Sequence, residues 1–433
     1  MSTVEIIIYQ HSLIGVENSS PAAVPSDSAA VRRRNLGLVL RHIGTNGPCA
    51  RTEIAAATGL SHASVTTLVA DLAVRGLVRE DGVRHGAGRG RPRRLIRMVA
   101  QRALTVAVQI SLEYLQVAVA DLAGRIVWRA CVPHRSAPGV PQDIADAAAT
   151  AVRQAAAAIA EIPGAELARV VIAMAGPVGA DQTVIAATDF GWLHEVRLGT
   201  LIAAALPDAD CPLDVINDAN AAALAEYHAH PRRPRGLVYI EAGTGIGGGV
   251  VLEGRIHTGS HGIAGEPGHM PVALDGPDCS CGARGCLVCY AGPEAVLTAA
   301  GLGDVLARDG LERALHRFDA AVHDADPAAL AALEAAGRAL GMAVLAINTL
   351  LDVDEVVLGG LLAQWFTHLR PAIDRALLRR RALAPAIELD VTAALLGEDA
   401  ILLGVIEFAR RAVFSDPATV PPLTADDETG PAG

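Results

Sequence analysis

The sequence predicts an α/β protein in which an N-terminal winged helix-turn-helix precedes a larger, two-lobed body. Three observations predict it. Charge is split unevenly: between Val31 and Arg97 stand 13 arginines against Glu53, Asp71, Glu80 and Asp81, a balance of +9, while the rest of the chain carries −20 and the whole −11. That basic stretch reads as helix, short helix, turn, helix and basic hairpin. Beyond residue 100, a β-meander followed by alternating helices and strands occurs twice, the pattern of an α/β body with two lobes. A small basic segment on an acidic body assigns nucleic acid to the first and another task to the second.

A chain of 433 residues calls for two or three domains. Hydrophobic residues make up 51%, yet no run of about 18 uninterrupted apolar residues offers a membrane span. The start has an apolar patch, Ile6 to Ile8, without a preceding basic region or a small-residue cleavage site, so a cytoplasmic protein is expected. There is no lysine; all 36 basic residues are arginine, which with the alanine richness reads as GC-rich coding rather than chemistry. Of seven cysteines, Cys279, Cys281, Cys286 and Cys289 fall within eleven residues. In a reducing compartment such clustering favours metal over disulfides.

Residues 1–29, rich in Ser, Pro and Ala, are expected as a mobile tail. Leu36, Leu38, Val39, Leu40 and Ile43 suit an amphipathic helix from Val31. Thr52 can cap a short helix, Glu53 to Thr58, with Glu53 near its positive end. Gly59-Leu60 gives the turn, and Ser61 caps a third helix to about Arg75, with Val65, Leu68, Val69, Leu72 and Ala73 as its apolar stripe. Ser61, His62, Ser64 and Thr67 fall outside that stripe and are the residues to face the major groove. The hairpin loop, Val83 to Arg94, brings Arg89 and the Gly90-Arg91-Pro92 segment, where Arg91 suits a narrow minor groove.

In the body, Ala103 to Val108, Leu115 to Ala120 and Arg125 to Ala130 read as strands of a meander. A helix from Asp143 to Ala160 and a buried strand from Ala168 to Ala173 follow. The second round comprises strands Leu237 to Glu241 and Gly247 to Leu252, helix Pro327 to Leu351, strand Glu355 to Leu358, helix Leu362 to Arg379 and strand Ala386 to Val391. A final helix spans Ala400 to Ala412 before a Pro-rich tail.

Gly243 to Gly249 joins two strands, and its glycines would let backbone amides approach phosphate or hydroxyl oxygens. Asn217-Asp218-Ala219-Asn220 stands at a strand-to-helix junction. Asp218 there could deprotonate a sugar hydroxyl, or could simply be a helix N-cap. His269, Cys279, Cys281 and Cys286 offer one imidazole and three thiolates, a tetrahedral set suited to structural Zn²⁺, with Cys289 as a spare thiol.

These segments resemble the ROK family of sugar kinases and sugar-responsive repressors over residues 31 to 412. Ala264-Gly265-Glu266-Pro267-Gly268-His269 is similar to the family's sugar-binding signature, Cys279 to Cys286 to its zinc loop, and Asn217 to Glu226 to its catalytic-base segment. The resemblance implies a two-lobed actin-like ATPase fold in which Asn217, Asp218, Glu266 and His269 hold a sugar and His269 also ligates zinc through its other nitrogen. It divides the chain into reader 30–98, first lobe 99–217, second lobe with the zinc loop 218–396, a helix 397–413 returning to the first lobe, and a tail 414–433. Two departures argue against phosphoryl transfer. Where family kinases carry Asp-x-Gly-Gly-Thr, this chain has Gln109-Ile110-Ser111-Leu112-Glu113, and it has Val288 in place of a sugar-binding glutamate. The expected protein is a repressor without kinase activity, binding operator DNA as a homodimer or homotetramer and released by a sugar or sugar phosphate. The alternative is an ATP-dependent sugar kinase with a regulatory DNA-binding head.

Overall fold

The computed structural model describes residues 28–84, 93–134, 136–207, 210–232, 234–380 and 389–423. Helices Ser28–Asn46, Arg51–Thr58 and His62–Val74 pack with strands Cys49–Ala50, Val78–Arg84 and Arg93–Met98, the last of these central in its antiparallel sheet. This is the expected winged helix-turn-helix. The first helix already begins at Ser28, inside the expected tail, and it buries Leu36, Val39, Leu40 and Ile43 while Leu38 faces outward. Thr52 does not cap the second helix. Ala50 is the N-cap, and its N–H donates to Glu53 Oε2 at 2.8 Å. Ser61 does cap the third, accepting the Ser64 N–H at 3.1 Å. Of the expected stripe, Val65, Leu68, Val69 and Leu72 are buried and Ala73 is exposed.

Two five-stranded sheets form the body, and they share one strand order. In the first, the meander Ala103–Ile110, Tyr114–Asp121 and Ile126–Pro133 is antiparallel. Strands Glu166–Met174 and Leu213–Asn217 then extend the sheet in parallel on the free side of the first strand. Gly236–Ala242, Ile246–Leu252, Arg255–Ile256, Glu355–Gly359 and Asp390–Ala393 repeat the arrangement. The duplicated order is that of the expected actin-like two-lobed fold.

The strand expected at Ala386 to Val391 is observed at Asp390–Ala393, and residues 381–388 lie outside the described ones. The helix expected over Leu362 to Arg379 is two, Gly360–Gln364 and Phe366–Arg380. Helices Val288–Ala291, Pro293–Ala299, Gly303–Asp309 and Leu311–His323, unassigned from sequence, build the second core with Pro327–Leu351. Pro327–Leu351 is long and apolar enough to cross a membrane, but 56% of its most apolar stretch is buried inside this lobe.

The C-terminal tail departs most from expectation. Helix Ala400–Ser415 lies on the first sheet, where Leu402, Val405, Ile406 and Ala409 share a core with Ala107, Ala118 and Val171. Val413 and Phe414 then enter the reader's own core, beside Leu36, Val39, Leu77, Ile96 and three residues of the first lobe, Ala103, Leu122 and Ala168. Val420 joins them, fully buried. The tail expected from 414 is therefore ordered to Leu423 because an apolar anchor and backbone acceptors hold it; residues 424–433 lie outside the described ones. The reader and first lobe share one core, so no bare linker separates them.

The final helix crosses Asp218–Ala229 at close range, since a Cβ placed on Gly404 would lie 1.8 Å from Ala221 O. Overpacking of this kind costs about 1–3 kcal/mol, occasionally more. Gly404→Ala should therefore lower the denaturation midpoint. An unchanged midpoint would mean that the two helices can part freely.

Candidate functional site

Three sites are built into this frame. On the third helix of the reader, Ser61, His62, Ser64 and Thr67 are all exposed, on the face opposite the buried stripe. Thr66 shares that exposure and was missed; its hydroxyl donates to His62 O at 2.9 Å, as helical threonines commonly do. Each acid of the reader is engaged by an arginine: Glu53 by Arg84 at 3.0 Å, Asp71 by Arg32 at 2.7 Å, Glu80 by Arg94 at 2.8 Å and Asp81 by Arg97 at 3.2 Å. The local positive surplus is thus carried by the other arginines. Arg89 and Arg91 lie outside the described residues.

The second site is the cleft at the end of strand Leu213–Asn217. Asn217, and not Asp218, is the N-cap of helix Asp218–Ala229, its Oδ1 accepting the Asn220 N–H at 2.8 Å. Its Nδ2 donates to Gly176 O at 3.0 Å and to Asp218 Oδ1 at 3.3 Å. The buried amide is committed at both ends, so it holds Asp218 in place. Asp218 Oδ1 also accepts the Ala219 N–H at 2.7 Å.

Burial lifts the Asp218 carboxyl to about 6, and the charge of Asp189 pushes the same way. Glu241 is pushed up to about 7 by burial and then by Asp218, against the Tyr239 hydroxyl that donates to it at 2.9 Å. Burial also raises Glu266, with His269 opposing and Asp218 adding. Asp218 therefore interacts with each of Asp189, Glu241 and Glu266, and burial favours the neutral form at Asp218, Glu241 and Glu266, so that protonated and ionised carboxyl groups can coexist here. Such a mixture can both donate to and accept from hydroxyls. Asp189 also joins the lobes, accepting from Thr244 Oγ1 at 2.8 Å in the glycine-rich turn. The sequence reading missed both Asp189 and Glu241. Glu241 had a signal, as the one charged residue in an apolar strand; Asp189 had none.

Glycines bring the cleft together. A Cβ on Gly248 would meet Pro267 Cγ at 2.6 Å, one on Gly249 would meet Ala219 O at 2.8 Å, and one on Gly268 would meet Ile246 O at 2.2 Å. Strand Ile246–Leu252 is thereby pressed between the helix bearing Asp218 and the segment bearing Glu266. Gly243 and Gly245 have no atom within 4 Å of such a position, which leaves room at the turn itself.

The third site is the cluster of His269, Cys279, Cys281 and Cys286, whose ligand atoms all lie within 4.8 Å of one another. Cys279 Sγ is 3.6 Å from His269 Nδ1, and Cys281 Sγ is 3.7 Å from Cys286 Sγ. A tetrahedral ion with metal–sulfur bonds of about 2.3 Å and metal–nitrogen bonds of about 2.0–2.1 Å requires edges of roughly 3.5–3.8 Å. The set fits a metal ion. Because Nδ1 faces the sulfurs, Nε2 of His269 is left for the cleft. Cys289 lies outside this set, its Sγ donating to Asp278 O at 3.9 Å, yet it stays within interaction range of Cys279.

The stretch in the place of the kinase phosphate segment is a plain turn. Strand Ala103–Ile110 ends, Ser111 Oγ donates to Tyr114 O at 2.8 Å, and Leu112 is 48% exposed. Gln109 Oε1 is buried without a partner among the described residues. Val288 opens the short helix Val288–Ala291.

The sequence profile of the ROK family matches residues 105–412, and that of the MarR family matches residues 37–87. Among curated relatives, the xylose repressor of Bacillus subtilis is 28% identical over 276 residues, which cover 63% of this chain and 69% of that protein. Among solved structures, a ROK family transcriptional regulator described as a homologue of the E. coli MLC protein superposes with a TM-score of 0.76 at 23% identity. The match covers 90% of this chain and 99% of that one. A ROK family glucokinase from Streptomyces griseus, solved with glucose and AMPPNP, superposes with a TM-score of 0.56 at 28% identity, over 71% of this chain and 99% of that one.

Proposed function

The chain belongs to the ROK family, and from that premise we propose that it is a sugar-responsive, DNA-binding transcriptional repressor of carbohydrate-related genes. The observation that carries this reading is a MarR-type winged helix joined to a ROK body, the pairing also found over most of the length of a solved ROK regulator. The similarity to xylose repressors supports repression as the sign of regulation. On this reading the third helix of the reader enters the major groove through Ser61, His62, Ser64 and Thr67, and Arg89 and Arg91 of the wing reach the adjacent minor groove. A homodimer or homotetramer would place two readers on a pseudo-palindrome.

The inducer sits against Asp218, Glu266 and His269, with Asn217 fixing Asp218. The acidic set of Asp189, Asp218, Glu241 and Glu266 keeps part of its negative charge even when some members are protonated, and that charge disfavours a phosphate, so an unphosphorylated sugar suits the cleft better than a sugar phosphate. Zinc is the metal that one histidine and three cysteines favour, and it would stiffen the segment carrying Glu266 and His269.

A second reading, an active sugar kinase, is favoured by one observation: Asp218 persists with its carboxyl lifted to about 6, a fair value for a general base. Against it, Leu112 replaces the glycine that a phosphate would need. Sugar-dependent ATP consumption should therefore equal that of Asp218→Ala. Turnover that disappears in Asp218→Ala would establish the kinase. Selection from a random duplex pool tests the main reading; a full-length protein that enriches no sequence overturns it.

A further inference from the structure

The C-terminal end of the recognition helix is fastened by groups far away in the sequence. Arg102 is 3% exposed, and its guanidinium donates in three directions. Nε reaches Arg75 O, the helix C-cap, at 2.8 Å; Nη1 reaches Gly164 O of the first lobe at 2.9 Å; Nη2 reaches Pro421 O at 2.9 Å. Arg75 makes a second clasp, donating from Nη1 to Ala418 O at 2.9 Å and to Val420 O at 2.6 Å while Nε holds Asp71 at 3.0 Å. The Leu423 N–H completes the set by donating to Val74 O at 2.9 Å.

These bonds answer a definite need. The last carbonyls of a helix lack intrahelical partners and carry partial negative charge, so cationic donors suit them. Only a guanidinium offers a planar fork able to reach three separate carbonyls at once. Gly76, at φ +70°, ends the helix under Leu423, whose side chain would lie 2.9 Å from an added Cβ.

We propose that Arg102 and Arg75 are positioning residues for operator recognition, locking the recognition helix to the first lobe through the segment Pro417–Leu423 so that reader and lobe turn as one block. The proposal rests on the reading of the chain as a DNA binder. It assigns the 417–423 segment a role that a loose tail would not have.

The test uses full-length protein with Arg75→Met, Arg102→Met and Leu423→Pro, the last removing the N–H that reaches Val74 O, together with the leucine side chain over Gly76, at a site outside the reader. Amide exchange should speed up at least tenfold at the end of the recognition helix and across 418–423, with the second lobe unchanged. Affinity for a duplex selected by the native protein should fall tenfold or more. The salt dependence separates positioning from direct contact. Losing one phosphate contact lowers the slope of log affinity against log salt by about 1, whereas a positioning residue leaves it unchanged. Should Arg102→Met not fold, Leu423→Pro still decides the matter. Unchanged exchange, unchanged affinity, or an affinity loss with a lowered slope each overturns the proposal. If the native protein selects no duplex, the functional reading fails instead, and the exchange measurement still tests the clasp.

Discussion

Removing the metal is expected to melt the segment around residues 269–289 and lower the stability of the whole second lobe. Purified protein should hold one zinc per chain, and Cys281→Ser should hold far less. Structural zinc contributes about 10–16 kcal/mol of apparent binding free energy in zinc-finger peptides, where the ion organises the whole fold. Less is expected here, because the backbone already shapes the loop: the Cys279 N–H donates to Ala283 O at 2.8 Å, Gly285 N–H to Pro277 O at 2.8 Å and Leu287 N–H to Met270 O at 2.9 Å. A loss of several kcal/mol remains, since chelation leaves three thiols and an imidazole crowded within 4.8 Å. Binding requires deprotonated ligands, so the contribution is present at neutral pH and is lost as pH falls. The checks are metal analysis and thermal unfolding with and without chelator. Metal-free protein whose unfolding is unaltered by Cys281→Ser would show the cluster to be ordinary packed cysteine.

The sequence made this cluster legible because its ligands are nearly contiguous. The reader was legible for a similar reason: helical periodicity, the Ser61 cap and the Gly59 turn are all local signals. Errors arose where a long-range partner decides the outcome. Leu38 fits the apolar period of its helix, yet it faces outward. The segment 292–323 carries Gly292, Pro293, Gly301, Gly303 and Gly310, which punctuate it like loop, although three helices between them complete the second core. The 417–423 segment looks like a tail by composition, and its main contribution is backbone carbonyls, which no residue code records. Asp189 belongs to the cleft only because the two lobes meet at Thr244. The boundary expected between reader 30–98 and first lobe 99–217 is likewise crossed by a shared core, which changes how a signal can travel.

Sugar binding is expected to weaken operator binding, and the route now has named parts. Helix Asp218–Ala229 begins at the cleft and ends near Glu226, which is buried and accepts the N–H groups of Leu395 at 3.0 Å and Leu396 at 2.9 Å. Those residues lead into helix Ala400–Ser415, which touches the first helix of the reader so closely that a Cβ on Gly37 would lie 2.2 Å from Phe414 O. A sugar that bridges Asp218 on one side and Glu266 and His269 on the other favours one arrangement of the lobes. Because reader and first lobe share a core, that arrangement would set the spacing of the two recognition helices in the proposed oligomer. A ligand shifts such an equilibrium only by its differential affinity, and coupling of about 1–3 kcal/mol corresponds to roughly 5–150-fold weaker operator binding. Reciprocity requires operator DNA to weaken sugar binding by the same factor. Glu266→Gln should retain DNA affinity and lose the response, since Glu266 lies in the cleft and away from the reader. The measurement is sugar affinity with and without operator DNA. Equal values, for a sugar whose binding Glu266→Gln abolishes, would leave a DNA-binding protein whose pocket does not govern it.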